Sequence, residues 1–149
     1  MNKINLLQSS IIPSFHDCVA HDVCLADALS FSFDQAGLTG EWRKEGEGVL
    51  RLSFTLSNRF CDESFHPAVM QIDHGRCFAR RALTYMTLKA WVEELKKQTS
   101  AVRINTVMVC GEECFIHAAV LNQNKEETRK EVFLSFLADS LSYGFCKDN

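Results

Sequence analysis

Proline is scarce in this chain, at two in 149 residues, and tryptophan and tyrosine occur only twice each. A proline-rich linker or a collagen-like repeat cannot be built from that composition. An excess of positive charge is missing too: 16 Lys and Arg stand against 19 Asp and Glu, a net of −3, so the chain exerts no diffuse attraction on nucleic acid. No run approaches the roughly 18 unbroken apolar residues of a membrane-spanning helix. After Lys3, the residues Gln8, Ser9, Ser10 and Pro13 break the apolar stretch before a signal-peptide core is complete. Phosphate-binding glycine loops, Cys-x2-Cys knuckles and serine-triad signatures are absent. What remains is a soluble single domain, residues 1–149, with no membrane partner. At this length a globule buries roughly 70% of its unfolded surface, so it needs neither metal nor disulfides to fold.

Against these absences, 46% of the residues are apolar, with eleven phenylalanines and seven cysteines. An odd number of scattered cysteines does not fit a paired secreted scaffold and predicts free thiols in a reducing, cytoplasmic compartment. Charge is uneven along the chain. Residues 76–98 carry Arg76, Arg80, Arg81, Lys89, Lys96 and Lys97 against Glu93 and Glu94.

Hydrophobic spacing predicts the elements. Ile4, Leu7, Ile11, Phe15 and Val19 recur every three or four residues, the stripe of an amphipathic helix over 4–24 that Pro13 starts or kinks. From Ala28 the period falls to two. Strands are predicted around Leu29–Phe33, over 38–44, and through Val49–Leu56, joined by glycine-containing turns into a meander. Residues 57–75 give little signal, and Val69 to Ile72 suits either a helix start or a short strand. Strong helix formers from Arg76 to Gln98 predict a central helix. Strands follow over 102–110 and 114–121 around Gly111-Glu112-Glu113, with a slip in alternation between Ile104 and Val107 that predicts a bulge. Asn124 and Glu127 resemble a helix start, Val132, Phe133, Phe136, Leu137 and Leu141 form a stripe, and Gly144 is placed to end it. The fold class read in this way is α+β, an antiparallel sheet with helices in the order α-β-β-β-α-β-β-α.

Chemistry is sparse. His16, Cys18, His21 and Cys24 form the densest ligand-like group, but on a helix their side chains would fan over about 200°, too wide for one tetrahedral ion. Cys110, Cys114 and His117 fail in a strand, where Cys114 and His117 point to opposite faces. No metal or other cofactor is therefore expected. A nucleophilic thiol is the sharper enzymatic reading. Cys77, near the start of the central helix and beside Arg76, Arg80 and Arg81, would favour thiolate, with His74 or His117 as base. The ordinary alternative is a cysteine packed in a core, and no known cysteine-enzyme signature is present. The basic run suits a solvated helix face or an acidic patch on a partner better than nucleic acid, since Arg81 turns away from Arg76 and Arg80. Leu38, Trp42, Val107, Val109, Cys114, Ile116, Ala118 and Val120 offer more apolar strand surface than one covering layer needs. Helices on both faces would cover it, or another chain would.

The phrase Leu29-Ser30-Phe31-Ser32-Phe33-Asp34, the run from Val107 through Gly111-Glu112 and Phe115 to Leu121, and the closing segment from Lys125 to Phe145 carry a resemblance. In element order, over most of the chain, they resemble the class I chaperones of bacterial type III secretion and the related YbjN-type fold. That resemblance implies a non-catalytic homodimer, its central helix at the seam, whose sheet holds an extended segment of a secreted client protein. Met86 and Trp91 are then expected at the dimer seam, and Leu38 and Trp42 at the client. A small thiol-dependent enzyme using Cys77 is the second reading, and a regulatory or immunity-type domain with a folded partner the third.

Overall fold

A computed structural model describes residues 2–9, 11–75 and 82–146. Among these residues the strands are β1 Asn2–Asn5, β2 Val19–Ala20, β3 Asp22–Leu25, β4 Ala28–Phe33, β5 Val49–Leu56, β6 Val69–Asp73, β7 Ala82–Met86, β8 Ala101–Cys110, β9 Glu113–Leu121 and β10 Glu127–Cys146. Two helices, α1 Trp42–Glu45 and α2 Leu88–Lys97, and a 3-10 turn at Gln35–Gly37 accompany them. The α+β expectation is overturned: among the described residues the chain is mostly antiparallel β-sheet, and the alternating helices are not there.

Where alternation is strict, sequence and structure agree. Leu50, Leu52 and Phe54 are buried along β5, while Arg51 and Thr55 between them are exposed. β5 pairs with β4, placing Phe31 opposite Leu52. β8 and β9 form a hairpin that turns at Gly111, φ +60. Its register shifts between Ile104 and Thr106, where the alternation slipped.

Two predicted helices and one predicted strand fail, and a third helix is shorter than predicted, each for a local reason. The stripe over 4–24 is a coincidence of spacing: Leu7 is 65% and Ile11 84% exposed, and the segment holds β1, an extended stretch through Pro13, β2 and β3. The segment 38–44, predicted as a strand, instead leaves the 3-10 turn and enters α1 at Trp42, so β4 and β5 pair directly with this excursion between them. Of the described part of the predicted central helix, residues 82–98, Leu88–Lys97 is helical and Leu83-Thr84-Tyr85 belongs to β7; Arg76 to Arg81 lie outside the described residues. Thr87 stops the strand and starts the helix, its hydroxyl accepting from the Ala90 N–H at 3.1 Å. Asp62 takes two more of the free N–H groups, those of Leu88 and Lys89, at 2.8 and 2.9 Å.

The last predicted helix is the twenty-residue strand β10. Val132, Leu134, Phe136 and Ala138 point inward, and Phe133 and Ser135 outward. A register irregularity between Ala138 and Ser140 then shifts the phase, so that Leu141 is buried. Apolar residues on both parities plus one phase shift imitate a period of 3.6.

β10 links the two halves of the fold. Its first half lies between β9 and β6, and its second half between β5 and β1. Sheet A is thus β3-β4-β5-β10-β1, and sheet B is β2-β8-β9-β10-β6-β7. Only His21 separates β2, at the edge of sheet B, from β3, at the edge of sheet A. Its N–H donates to the Ser32 carbonyl at 2.9 Å. The ring of strands therefore closes on itself and removes most free edges. Phe15, Phe31, Phe33, Phe54, Phe136, Leu50 and Leu52 fill the interior, with Leu88, Trp91, Val92 and Leu95 of α2 buried in the same core. β6 and β7 extend sheet B beyond the ring.

Candidate functional site

Closure changes which apolar residues are surplus. Val107 and Val109 pack against the core, and Cys114, Ile116, Ala118 and Val120 are buried in it, so the predicted excess is internal. Leu38 is fully buried and Trp42 is 9% exposed. Trp42 stacks on Phe15 with ring centroids 5.0 Å apart, and its indole N–H donates to the Ser14 carbonyl at 2.7 Å. Neither residue offers surface to a client, because a closed ring buries the positions that an open meander would present. Trp91 is 1% exposed, inside the core, and does not lie on a helix seam. Met86 ends β7 and is half-buried.

Exposed apolar surface lies on the outer face of sheet B. Register places Tyr85, Met70, Phe133, His117 and Thr106 in one row across β7, β6, β10, β9 and β8. Two residues along, Ser135, Phe115 and Met108 form a second row. Tyr85 and Met108 are each 60% exposed, Phe115 41% and Phe133 37%. Together with Pro67 and Ala68 these side chains line a groove of about 450 Å³. That is within the range of roughly 300–1,000 Å³ typical of binding sites. The His117 ring lies flat on Phe133, centroids 4.5 Å apart and planes within 9°.

At the end of the groove Glu131 sits between two imidazoles. His117 Nε2 and His74 Nε2 each lie 3.2 Å from a different oxygen of its carboxylate. A carboxylate only accepts, so both Nε2 atoms carry hydrogen. Burial on its own would raise the Glu131 pKa. The hydrogen bonds from His117 and His74, together with their charge, outweigh burial and hold the carboxyl below its ordinary value. A depressed carboxyl stabilises the fold above its unfolded pKa, about 4.3, and this contribution is lost as pH falls through the lower folded value. Glu131→Gln is therefore expected to be less stable than the parent at pH 6, with the gap shrinking as pH is lowered from 5 to 3. Urea unfolding midpoints across that range measure it, and a gap independent of pH would refute the assignment.

Each imidazole engages its own oxygen, and among the described residues no three His, Cys, Asp or Glu side chains gather in a metal-binding arrangement. His16, Cys18, His21 and Cys24 run along largely extended backbone, with Cys18 buried in the core and His21 exposed. Cys77, with Arg76, Arg80 and Arg81, lies outside the described residues. His74, its predicted base, is engaged by Glu131. The described thiols with displaced pKa values all move away from thiolate. Burial pushes Cys114 up to about 12. Hydrogen bonds to Asp22 and Glu63 raise Cys24 and Cys61.

Sequence reading missed the groove because Met108 and Phe115 occupy the off-phase positions of strands judged by their inward stripe, while Phe133 and Tyr85 fall in segments that read as helices. The available signal was the presence of large apolar residues on both parities: Phe115 between Cys114 and Ile116, and Phe133 between Val132 and Leu134.

No protein-family model matches this chain, and neither the curated proteins nor the solved structures contain a match. Among the described residues no helix is long and apolar enough to cross a membrane.

Proposed function

We propose that this chain is a non-catalytic protein-binding module of chaperone type, which holds an extended, apolar segment of a client protein in the groove on the outer face of sheet B. The observation that carries this reading is the pair of rows of partly exposed apolar side chains, Tyr85, Met70 and Phe133 in one and Phe115 and Met108 in the other, around one concave space. A flat row of aromatic and thioether side chains suits alternate residues of an extended peptide, and methionine adapts to different occupants. The reading keeps the predicted mechanism and moves its site away from Leu38 and Trp42. The helix order that tied the chain to type III secretion chaperones is not that of this fold and lends the reading no support.

Arrays of 13-residue peptides test it. Peptides with apolar residues at alternate positions are expected to bind, and charged or scrambled ones are not. Phe133→Asp should weaken binding at least tenfold, the loss that follows from placing a charge under a side chain whose burial is worth about 1.5–3 kcal/mol. Phe133 is partly exposed, so the variant should keep the parent circular dichroism spectrum. Absence of any apolar preference, or undiminished binding by a folded Phe133→Asp variant, would overturn the proposal.

A further inference from the structure

β7 is the outer edge of sheet B and, among the described residues, pairs only with β6. Its sequence, Ala-Leu-Thr-Tyr-Met, has none of the charges or prolines with which natural edges discourage further pairing. Leu83 is 57% and Tyr85 60% exposed.

The direction of its backbone groups follows from the hydrogen bonds around β6. Ser135 N–H donates to the Ala68 carbonyl, and His74 N–H to the Arg129 carbonyl, so the even-numbered residues 68 to 74 face β10. Val69, Gln71 and Asp73 therefore face β7, where they oppose Met86, Thr84 and Ala82. That leaves the N–H and C=O groups of Leu83 and Tyr85 directed at the free edge.

We infer that a second copy of this chain pairs with that edge, β7 against β7, antiparallel about a two-fold axis at Thr84. This register sets Leu83 opposite Tyr85 of the other copy, and Tyr85 opposite its Leu83. All the outward N–H and C=O groups of both residues are then satisfied in two hydrogen-bonded pairs. Sliding by one pair to centre on Tyr85 sets Leu83 against Thr87, which lies beyond the end of β7 and whose carbonyl already accepts from the Trp91 N–H. The segment is thus complementary to itself in backbone pattern. It is uncharged, so the pairing opposes no like charges, and it sets an aliphatic against an aromatic side chain on the groove face. Met86, expected at a helix seam, instead lies at the end of this strand seam. The pairing joins the six strands of sheet B in each copy into one continuous surface, with the two grooves on the same face. It deepens the client-holding proposal by supplying a dimer with twice the groove length, and its own basis is the edge alone.

Sedimentation equilibrium of the purified chain, without any peptide, between about 10 and 500 µM tests it. A five-residue seam is smaller than a standard interface, so a concentration-dependent monomer–dimer equilibrium is expected. Leu83→Lys combined with Tyr85→Lys should shift the midpoint at least tenfold towards monomer, and both sites are exposed enough for the fold to persist. Thr84→Cys should form a disulfide-linked dimer under mild oxidation well beyond the parent level, because a two-fold centre at a non-hydrogen-bonded position brings the two Cα atoms to about 4.5 Å. A parent that stays monomeric at 500 µM, or a dimer indifferent to the lysine pair, would overturn the inference. Peptide binding by Phe133→Asp reports on the groove alone, so either idea can fail without the other.

Discussion

Phe54→Ala is expected to lower the unfolding free energy by about 3–5 kcal/mol, which on a chain of this length lowers the melting temperature by on the order of 10 °C. Phe54 is fully buried on β5 and faces two rings edge-on: Phe31 of β4 at 6.4 Å and Phe136 of β10 at 5.2 Å. One ring of β5 therefore meets both neighbouring strands near the place where β10 passes from sheet B to sheet A. Truncation loses the transfer free energy of the ring and two aromatic pairings, and leaves a void that neighbours on paired strands cannot move to fill. Since domains of this size are stable by roughly 5–15 kcal/mol in total, the variant should be soluble only at reduced temperature. Calorimetry or urea titration measures the loss, and a cost under 1 kcal/mol would mean that the ring is not packed as described.

Gly37→Ala is expected to cost about 1–3 kcal/mol, the usual range for overpacking, although it adds a single methyl group. Gly37 ends the 3-10 turn after β4 and packs against β2. A Cβ there would overlap the Val19 carbonyl oxygen and approach its carbon to 3.2 Å. The obstacle is backbone, so no rotamer change relieves it. The Gly37 N–H also donates to the Asp34 carboxylate at 2.9 Å, so moving the turn away breaks the cap that closes it. Since β2 and β3 are what shut the ring, the damage should be concentrated there, and hydrogen exchange should accelerate at Val23 and Cys24 before the β8–β9 hairpin is affected.

The parts of the fold legible in the sequence are those where one face is buried and the other wet. β4, β5, β8 and β9 could be placed within a few residues, and the bulge near Ile104 was visible as a slip in alternation. β10 was not legible as a strand, because Val132, Phe133 and Leu134 are apolar in succession and the phase changes near Asp139. A strand that is core on one face and groove floor on the other reads like a helix stripe. The helix α2 was located but extended too far, since Leu83, Tyr85 and Met86 suit either state and only the pairing with β6 decides between them. At the candidate site, His74 and His117 were singled out for acid–base chemistry. Their common partner Glu131 was not, because it lies 14 residues beyond His117 and 57 beyond His74 in the sequence. Leu38 and Trp42 were correctly read as apolar and misread as surface, a distinction that depends on ring closure and has no local signature.

The central position of β10 also bears on how the molecule is made. β1, β5, β6 and β9 all take it as a neighbour, and every one of them is synthesised before it. Until residues 127–146 emerge, the growing chain can pair only the separate groups β3-β4-β5, β2-β8-β9 and β6-β7, with open apolar faces and unpaired edges, and no closed ring. Folding must therefore wait for a late segment that forms long-range pairings, a topology that makes folding slow. During that interval the nascent chain is itself an exposed apolar client, of the kind its finished groove is proposed to hold.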